Sequence, residues 1–199
     1  MEGCVAGVDD GFFRKGWSRC ILVLAAHCWR GGRLCPCLAE ASWVQVDGLD
    51  ATEAIAGLVS RASDRLELNA VLLDTPVFAG FNVAEPWRVH EETGVPVVVV
   101  YAYPPRRERV ERALRLHFPD WRRRLGVLER VWSRLRRAPC PRGELLYASY
   151  GLDAGDAWRL LCSLQVYTRT PEPLYTAHVV ASGLSRSLLA RRGPIGFGR

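Results

Sequence analysis

Val95-Pro96-Val97-Val98-Val99-Val100-Tyr101-Ala102-Tyr103 is the longest apolar run in the chain. It is rich in β-branched residues and does not alternate with polar ones. A strand with one wet face alternates with a period of two. One without alternation is covered on both faces, as in a parallel sheet flanked by helices. The run is far shorter than the roughly 18–20 residues of a membrane span. Working outward, Asn69 to Leu73 reads as a second buried strand that ends at Asp74. Between the two, Asn82 reads as the cap of a helix stopped by Gly94, with Glu85 in the capping-box position.

Further upstream, Ala51, Ile55, Leu58, Val59 and Ala62 fall at helical spacing. Asp50 stands at the N-cap of that helix and Glu53 three residues on, again a capping box. Arg19–Trp29 and Leu34–Val46 are apolar stretches around Gly31-Gly32, a hairpin signal. Gly3–Asp9 is a short apolar strand ending in acids. Downstream, Pro104-Pro105 breaks the chain. Val110, Leu114 and Phe118, then Leu125, Leu128 and Trp132, follow a helical period. Leu145–Ser149 reads as a strand, Asp153–Val166 as a helix and Pro173–Leu189 as a last helix. The pattern is three antiparallel strands followed by alternating helices and parallel strands. The expected fold is a mixed-sheet α/β domain with flanking helices over residues 1–190, and 191–199 is expected to be a flexible tail.

Hydrophobic residues make up 49% of the 199-residue chain and charged residues 24%. That composition argues against disorder and for a core of its own. The N-terminal MEGCVAGVDD is acidic and poor in hydrophobic residues, unlike a signal peptide, so the cytoplasm is the expected compartment. Seven cysteines without a regular framework are expected to be mostly buried thiols there. Cys35-Pro36-Cys37, with His27 and Cys28 nearby, leaves a metal site as a second reading. Disulfides are a third, should the source be a hyperthermophile.

Charge is unevenly spread. Between Arg106 and Arg137 stand twelve arginines against four acids, a net +8 in a chain whose total is +6. A basic stripe on a mildly acidic body is the footprint of a polyanion binder. Arg106, Arg107, Arg122, Arg123, Arg124, Arg134, Arg136 and Arg137 are the candidate nucleic-acid contacts. The competing reading is a solvated helical face with internal pairs such as Glu111–Arg115.

The chemically suggestive residues are carboxylates at element ends: Asp9 and Asp10, Asp47 and Asp50, and Asp74. Ligands of open α/β sheets bind outside the carboxyl ends of strands. If the first and fourth strands are neighbours, Asp9 and Asp74 meet there, and Asp50 at a helix start faces the same crevice. Carboxylates held together need a cation, and Mg²⁺ takes one or two of them with water and phosphate oxygens. Each acid also has a simpler reading, as a cap or a turn. His90, His117 and His178 read as isolated helix-surface residues.

Gly7-Val8-Asp9-Asp10-Gly11, Asp47-Gly48-Leu49-Asp50-Ala51-Thr52, Leu73-Asp74-Thr75-Pro76-Val77-Phe78-Ala79-Gly80-Phe81-Asn82 and Thr93-Gly94-Val95-Pro96-Val97 form a set. Together they resemble the archaeal uncharacterised family known as domain of unknown function ninety-nine, which is related to endonuclease V. The resemblance spans nearly the whole chain and includes Pro171-Glu172-Pro173-Leu174 ahead of the last helix. It implies a ribonuclease H-like fold. It also implies Mg²⁺ (or Mn²⁺) at Asp9, Asp50 and Asp74 and phosphodiester hydrolysis on DNA or RNA; beside them, Asp10 or Asp47 is the expected second ligand or general base. Two departures stand out. No Tyr-Pro wedge precedes Asp50, where Trp43-Val44-Gln45-Val46 stands instead. Leu152 occupies the place of the histidine of a Ser-Pro-Gly-His segment. The expectation is therefore little preference for deaminated bases. A non-catalytic nucleic-acid-binding or protein-interaction module on a nuclease fold is the other reading kept open.

Overall fold

The computed structural model describes residues 3–191. Its frame is a seven-stranded mixed sheet in the order β3-β2-β1-β4-β7-β9-β8. Three antiparallel strands begin the chain: β1 (Cys4–Asp10), β2 (Arg19–Arg30) and β3 (Arg33–Gln45). The β2–β3 hairpin turns at Gly31 and Gly32, both with positive φ, the pair of left-handed residues a tight hairpin turn requires. Helix α1 (Ala51–Ser63) then crosses over to β4 (Leu68–Asp74), which pairs parallel with β1 and so ends beside it. A small hairpin, β5 (Val77–Phe78) and β6 (Asn82–Val83), precedes α2 (Pro86–Thr93). Next comes β7 (Val97–Tyr101), parallel to β4 and buried along its length, as its lack of alternation required.

The arginine-rich segment forms two helices, α3 (Arg107–His117) and α4 (Trp121–Trp132). Strands β8 (Arg136–Ala138) and β9 (Leu145–Tyr150) close the sheet, β9 running antiparallel to β7. Helix α5 (Ala154–Leu164) starts at Asp153, whose carboxylate accepts from Gly155 N and Asp156 N. Helix α6 (Glu172–Arg191) ends the described chain, so the expected tail lies, from residue 192 on, outside the described residues. Among these residues no helix is long and apolar enough to cross a membrane.

One face of the sheet packs Ala6, Val8, Leu22, Leu24, Val71, Leu73, Val97 and Val99 against α1, α2 and α4. The other packs Val5, Ala70, Leu72, Val98 and Val100 against α5 and the start of α6. Gly7 is what lets α6 lie directly on β1. A Cβ there would collide with the Pro173 carbonyl and the Leu174 amide.

Two local expectations are corrected. Asp50 makes no side-chain cap on α1. Asn82 does that work from outside, its Oδ1 accepting from Ala51 N at 3.0 Å. Asn82 in turn does not cap α2. It sits in β6, and Glu85 stands at that helix's N-cap, again without a side-chain cap bond. The short strands β5, β6 and β8 have no sequence signal, being two or three residues long.

Candidate functional site

Two neighbouring parallel strands set the site. β1 ends in Asp9-Asp10 and β4 in Asp74, and α6 passes over both strand ends. Asp9, Asp10, Asp74 and His178 line one open cleft with Gly11, Phe12, Phe13, Ser182 and Arg186. His178 lies one helical turn beyond Leu174, the residue packed on Gly7. Its Nδ1 stands 2.7 Å from Asp9 Oδ2, while Asp9 Oδ1 accepts from Asp10 N at 2.8 Å. Asp10 Oδ2 accepts from Ala79 N at 2.7 Å, which ties the β5–β6 hairpin to the end of β1.

Burial dominates the electrostatics. Asp9 is only 7% exposed. Its carboxyl is pushed up to about 7, by loss of water first and then by Asp74 and Asp10, with the His178 bond and the Asp10 amide opposing. Asp10 is raised by burial against the opposing bonds from the Ala79 and Asp10 amides and Asp9. Asp74 is raised by burial and by Asp10, with His178 opposing. Asp9 is buried, Asp10 half-buried and Asp74 exposed, and three carboxyls in one cleft that all resist ionising are a donor set suited to a hard divalent cation, whose charge offsets the water they lose.

The expected partner Asp50 is absent from the cleft. Its carboxylate accepts from Gln45 N at 3.1 and 3.3 Å and from Asn82 Nδ2 at 2.6 Å. The reason is the tight turn from β3 into α1, whose orphan amide at Gln45 lies within reach of a short acid. Asp47, with φ of 57°, does the same for Phe81 N at 2.8 Å. The structure therefore brings together Asp9, Asp10 and Asp74, and adds His178, which by sequence pattern alone reads as a surface residue. The available signal was a pair of glycines, Gly7 on β1 and Gly11 just beyond its end, where a Cβ would meet Ser185 Oγ and the Ala181 carbonyl. They mark a helix in close contact with that strand.

The arginines do not act as one stripe. Arg124 is a correction: it is 5% exposed. Its Nε bonds Asp120 Oδ1 at 3.0 Å, its Nη1 donates to Gly48 O and Phe81 O at 2.8 and 2.6 Å, and it lies over the Phe118 ring. It clasps the loops around the site and is closed to a polyanion. Arg137 forms a bidentate pair with Glu144, and Arg107 donates to Trp132 O. Arg134 and Arg136 line a separate groove with Ser149, Leu152 and Asp153, beside the end of β9 that pairs with the start of β7. Arg106 precedes α3 at the same sheet edge as the acids. Arg122 and Arg123 are exposed on α4, Arg122 with its guanidinium 4.7 Å from the centre of the Trp121 ring.

Among the aromatics that follow Asp74, Phe78 is buried and Phe81 packs edge-on against Phe118, so both are core anchors. Trp43, on β3, stands outside the core. It is 41% exposed and lines an apolar pocket with Phe12, Trp17 and Ile21, one residue from Gly11 of the acidic cleft.

Residues 3–185 match the model of a protein family described as Endonuclease dU. A UPF0215 protein of Pyrococcus furiosus is 36% identical over 185 residues, 92% of either chain. Among solved structures, a protein of unknown function from Archaeoglobus fulgidus superposes with a TM-score of 0.76 at 27% identity, covering 91% of this chain and 97% of that one. Human endonuclease V superposes with a TM-score of 0.63 at 14% identity, covering 94% and 86%. The last likeness is one of fold, and it bears out the expected mixed sheet with flanking helices.

Proposed function

This chain belongs to the Endonuclease dU family, and from that premise we propose a divalent-metal-dependent endonuclease that hydrolyses phosphodiesters of nucleic acid at the Asp9–Asp10–Asp74 cleft. The observation that carries the reading is the meeting of three carboxyls in one cleft at the ends of two adjacent parallel strands, the buried one, Asp9, pushed up to about 7. Mg²⁺ or Mn²⁺ fits that donor set, held by Asp9 and Asp74 with Asp10 beside them. When bound, the ion supplies charge for the phosphate oxygens and lowers the pKa of an attacking water.

The chain's own residues do the rest. His178 fixes one oxygen of Asp9, which leaves the ligand a single orientation. Its side chain is largely solvent-exposed, so this orienting contact is made at the open side of the cleft. The Ala79 amide holds Asp10 in the same way. Arg106, Arg122 and Arg123 supply backbone contacts to the polyanion. The site works on nucleic acid, so the cytoplasm is the compartment we assign.

For base preference, the family's description names dU, and the exposed rings of Phe12 and Trp43 near the acids offer faces on which a base stacks, worth about 1–3 kcal/mol. No wedge precedes Asp50, so a base that must be levered from a duplex is disfavoured. We therefore assign little preference for inosine, and preference for single-stranded or flexible substrates.

The test is cleavage of matched DNA and RNA oligonucleotides that carry uracil, inosine or neither, single- and double-stranded, with Mg²⁺ or Mn²⁺. Cleavage that disappears with chelator and in Asp74→Asn supports the reading. Inosine preferred above roughly tenfold, or about 1.4 kcal/mol, would overturn its specificity. One observation favours a second reading, a binding module without catalysis: Asp50 is engaged elsewhere, which leaves the carboxylate set one short of the expected four. Tight binding with no metal-dependent cleavage on any substrate would establish it.

A further inference from the structure

A second group of ligand-type side chains stands at the other end of β1. Cys4 opens the strand. Its register partner on β2 is Cys28, whose own partner on β3 is Cys35. Directly paired residues carry their side chains on one face of a sheet. The β2–β3 ladder is irregular just here. Ala26 pairs with Leu38 and His27 with Pro36, so Cys37 is one residue extra. A bulge re-aims a side chain, and Cys37 and Leu38 both pack against the core face that Ala26 shares. The same face therefore carries four cysteines from three strands.

The sulfurs of Cys4, Cys28 and Cys37 all lie within 4.8 Å of one another. Cys28 touches both of the others. A sulfur forms only one disulfide, so no pairing satisfies all three, whereas one ion does. A tetrahedral ion with metal–sulfur bonds of about 2.3 Å spaces its thiolates about 3.8 Å apart, so the Cys28 sulfur draws back from its contacts with Cys4 and Cys37 as the ion enters between them. Cys4 and Cys28 are buried, and Cys37 is partly exposed, which gives the ion a way in.

We propose that Cys4, Cys28 and Cys37 form a thiolate site for a zinc-type metal ion, and that Cys35, whose sulfur lies outside that trio but which faces Cys28 in the register, closes on the ion as the fourth ligand. Thiolates select zinc or copper(I) over the hard cations that suit carboxylates, so this site and the acidic cleft do not compete for one ion. Each coordinating thiol gives its proton to solvent as the ion binds. The ion joins β1, β2 and β3 where the hairpin leaves the sheet, a structural task. Cys140 and Cys162 make the contrast. They stand as an isolated bonded pair, with no third sulfur beside them among the described residues.

The test uses the reduced, metal-free full chain titrated with Co²⁺ and then Zn²⁺. A thiolate-to-cobalt charge-transfer band in the near ultraviolet is expected, bleached by about one equivalent of Zn²⁺. It is lost in Cys28→Ser, weakened in Cys37→Ser and unchanged in Asp74→Asn, which removes a carboxylate and no sulfur. If Cys28→Ser fails to fold, Cys37→Ser at the partly exposed position carries the comparison. In the protein as purified, chelator alone opens the trio to alkylation, while Cys140 and Cys162 need reductant. A chain without the band, or a trio released by reductant and not by chelator, overturns the proposal in favour of a disulfide.

Discussion

The two ends of β1 carry opposite chemistries on one strand. The end that meets β4 and α6 presents oxygen: Asp9 and Asp10, with Asp74 beside them. The end that meets the open part of the hairpin presents sulfur: Cys4, with Cys28 and Cys37. Cys4 and Asp9 are five residues apart, roughly 16 Å along an extended strand. The difference lies in their support. The oxygen end faces an open cleft, with a histidine from a helix that two glycines admit. The sulfur end is closed by strand register and a bulge. An open site suits turnover and a closed one suits structure.

The comparison breaks most visibly at Asp74. Replacing it with Asn removes one carboxylate from the oxygen end and leaves the sulfur end intact. We expect metal-dependent cleavage to fall by roughly 10³-fold or more, because several kcal/mol of charge stabilisation is lost. The fold should be unchanged by circular dichroism. His178→Gln is expected to cost about ten- to a hundredfold in activity at little cost in stability, the usual effect of removing a ligand's orienting partner. Kinetics beside thermal melting of the same variant separate the two.

Gly7→Ala probes how the halves are joined. The added methyl meets the backbone of Pro173 and Leu174, so α6 must shift and carry His178 from Asp9. A loss of about 1–3 kcal/mol in denaturant unfolding is expected, with reduced activity in the folded fraction.

A pH series sharpens the electrostatic side. Asp9 is raised from 3.8 to about 7, so the folded state binds more protons than the unfolded one between these values. Metal-free stability must therefore fall as pH rises through that window. Divalent metal should restore more of it at the high end, where Asp9 is ionised. Asp9→Asn should flatten the fall in the metal-free protein. The smallest effect belongs to the exposed arginines. Arg122→Ala with Arg123→Ala should lower the slope of log affinity against log salt by about one for each phosphate left without its arginine.

The sequence was legible where one chemical signal sufficed. The unalternating valine run placed β7 inside a parallel sheet, the Gly31-Gly32 pair placed the hairpin, and the strand-end acids placed Asp9 and Asp74. It misled where a short polar side chain had two neighbours to choose from. Asp50 and Asn82 both read as caps of the helices that follow them. In the fold they are joined to each other, and Asn82 caps α1 across a gap of 31 residues. No local pattern encodes that exchange. His178 was hidden for a similar reason, since its partner is 169 residues away in sequence. The arginines misled as a group, because net charge does not say which guanidinium is claimed by Asp120 and two carbonyls, as that of Arg124 is.

The central claim is that the oxygen end of β1 holds a divalent cation between Asp9 and Asp74. Its most direct test is the binding of Mn²⁺ to the full chain, read from the loss of the free-ion signal in electron paramagnetic resonance. The account predicts saturable binding that Mg²⁺ displaces, that weakens as pH drops below about 7, the value to which Asp9 is raised, and that Asp74→Asn abolishes while Cys37→Ser leaves it unchanged. Binding that survives Asp74→Asn, or is lost in Cys37→Ser, would contradict it.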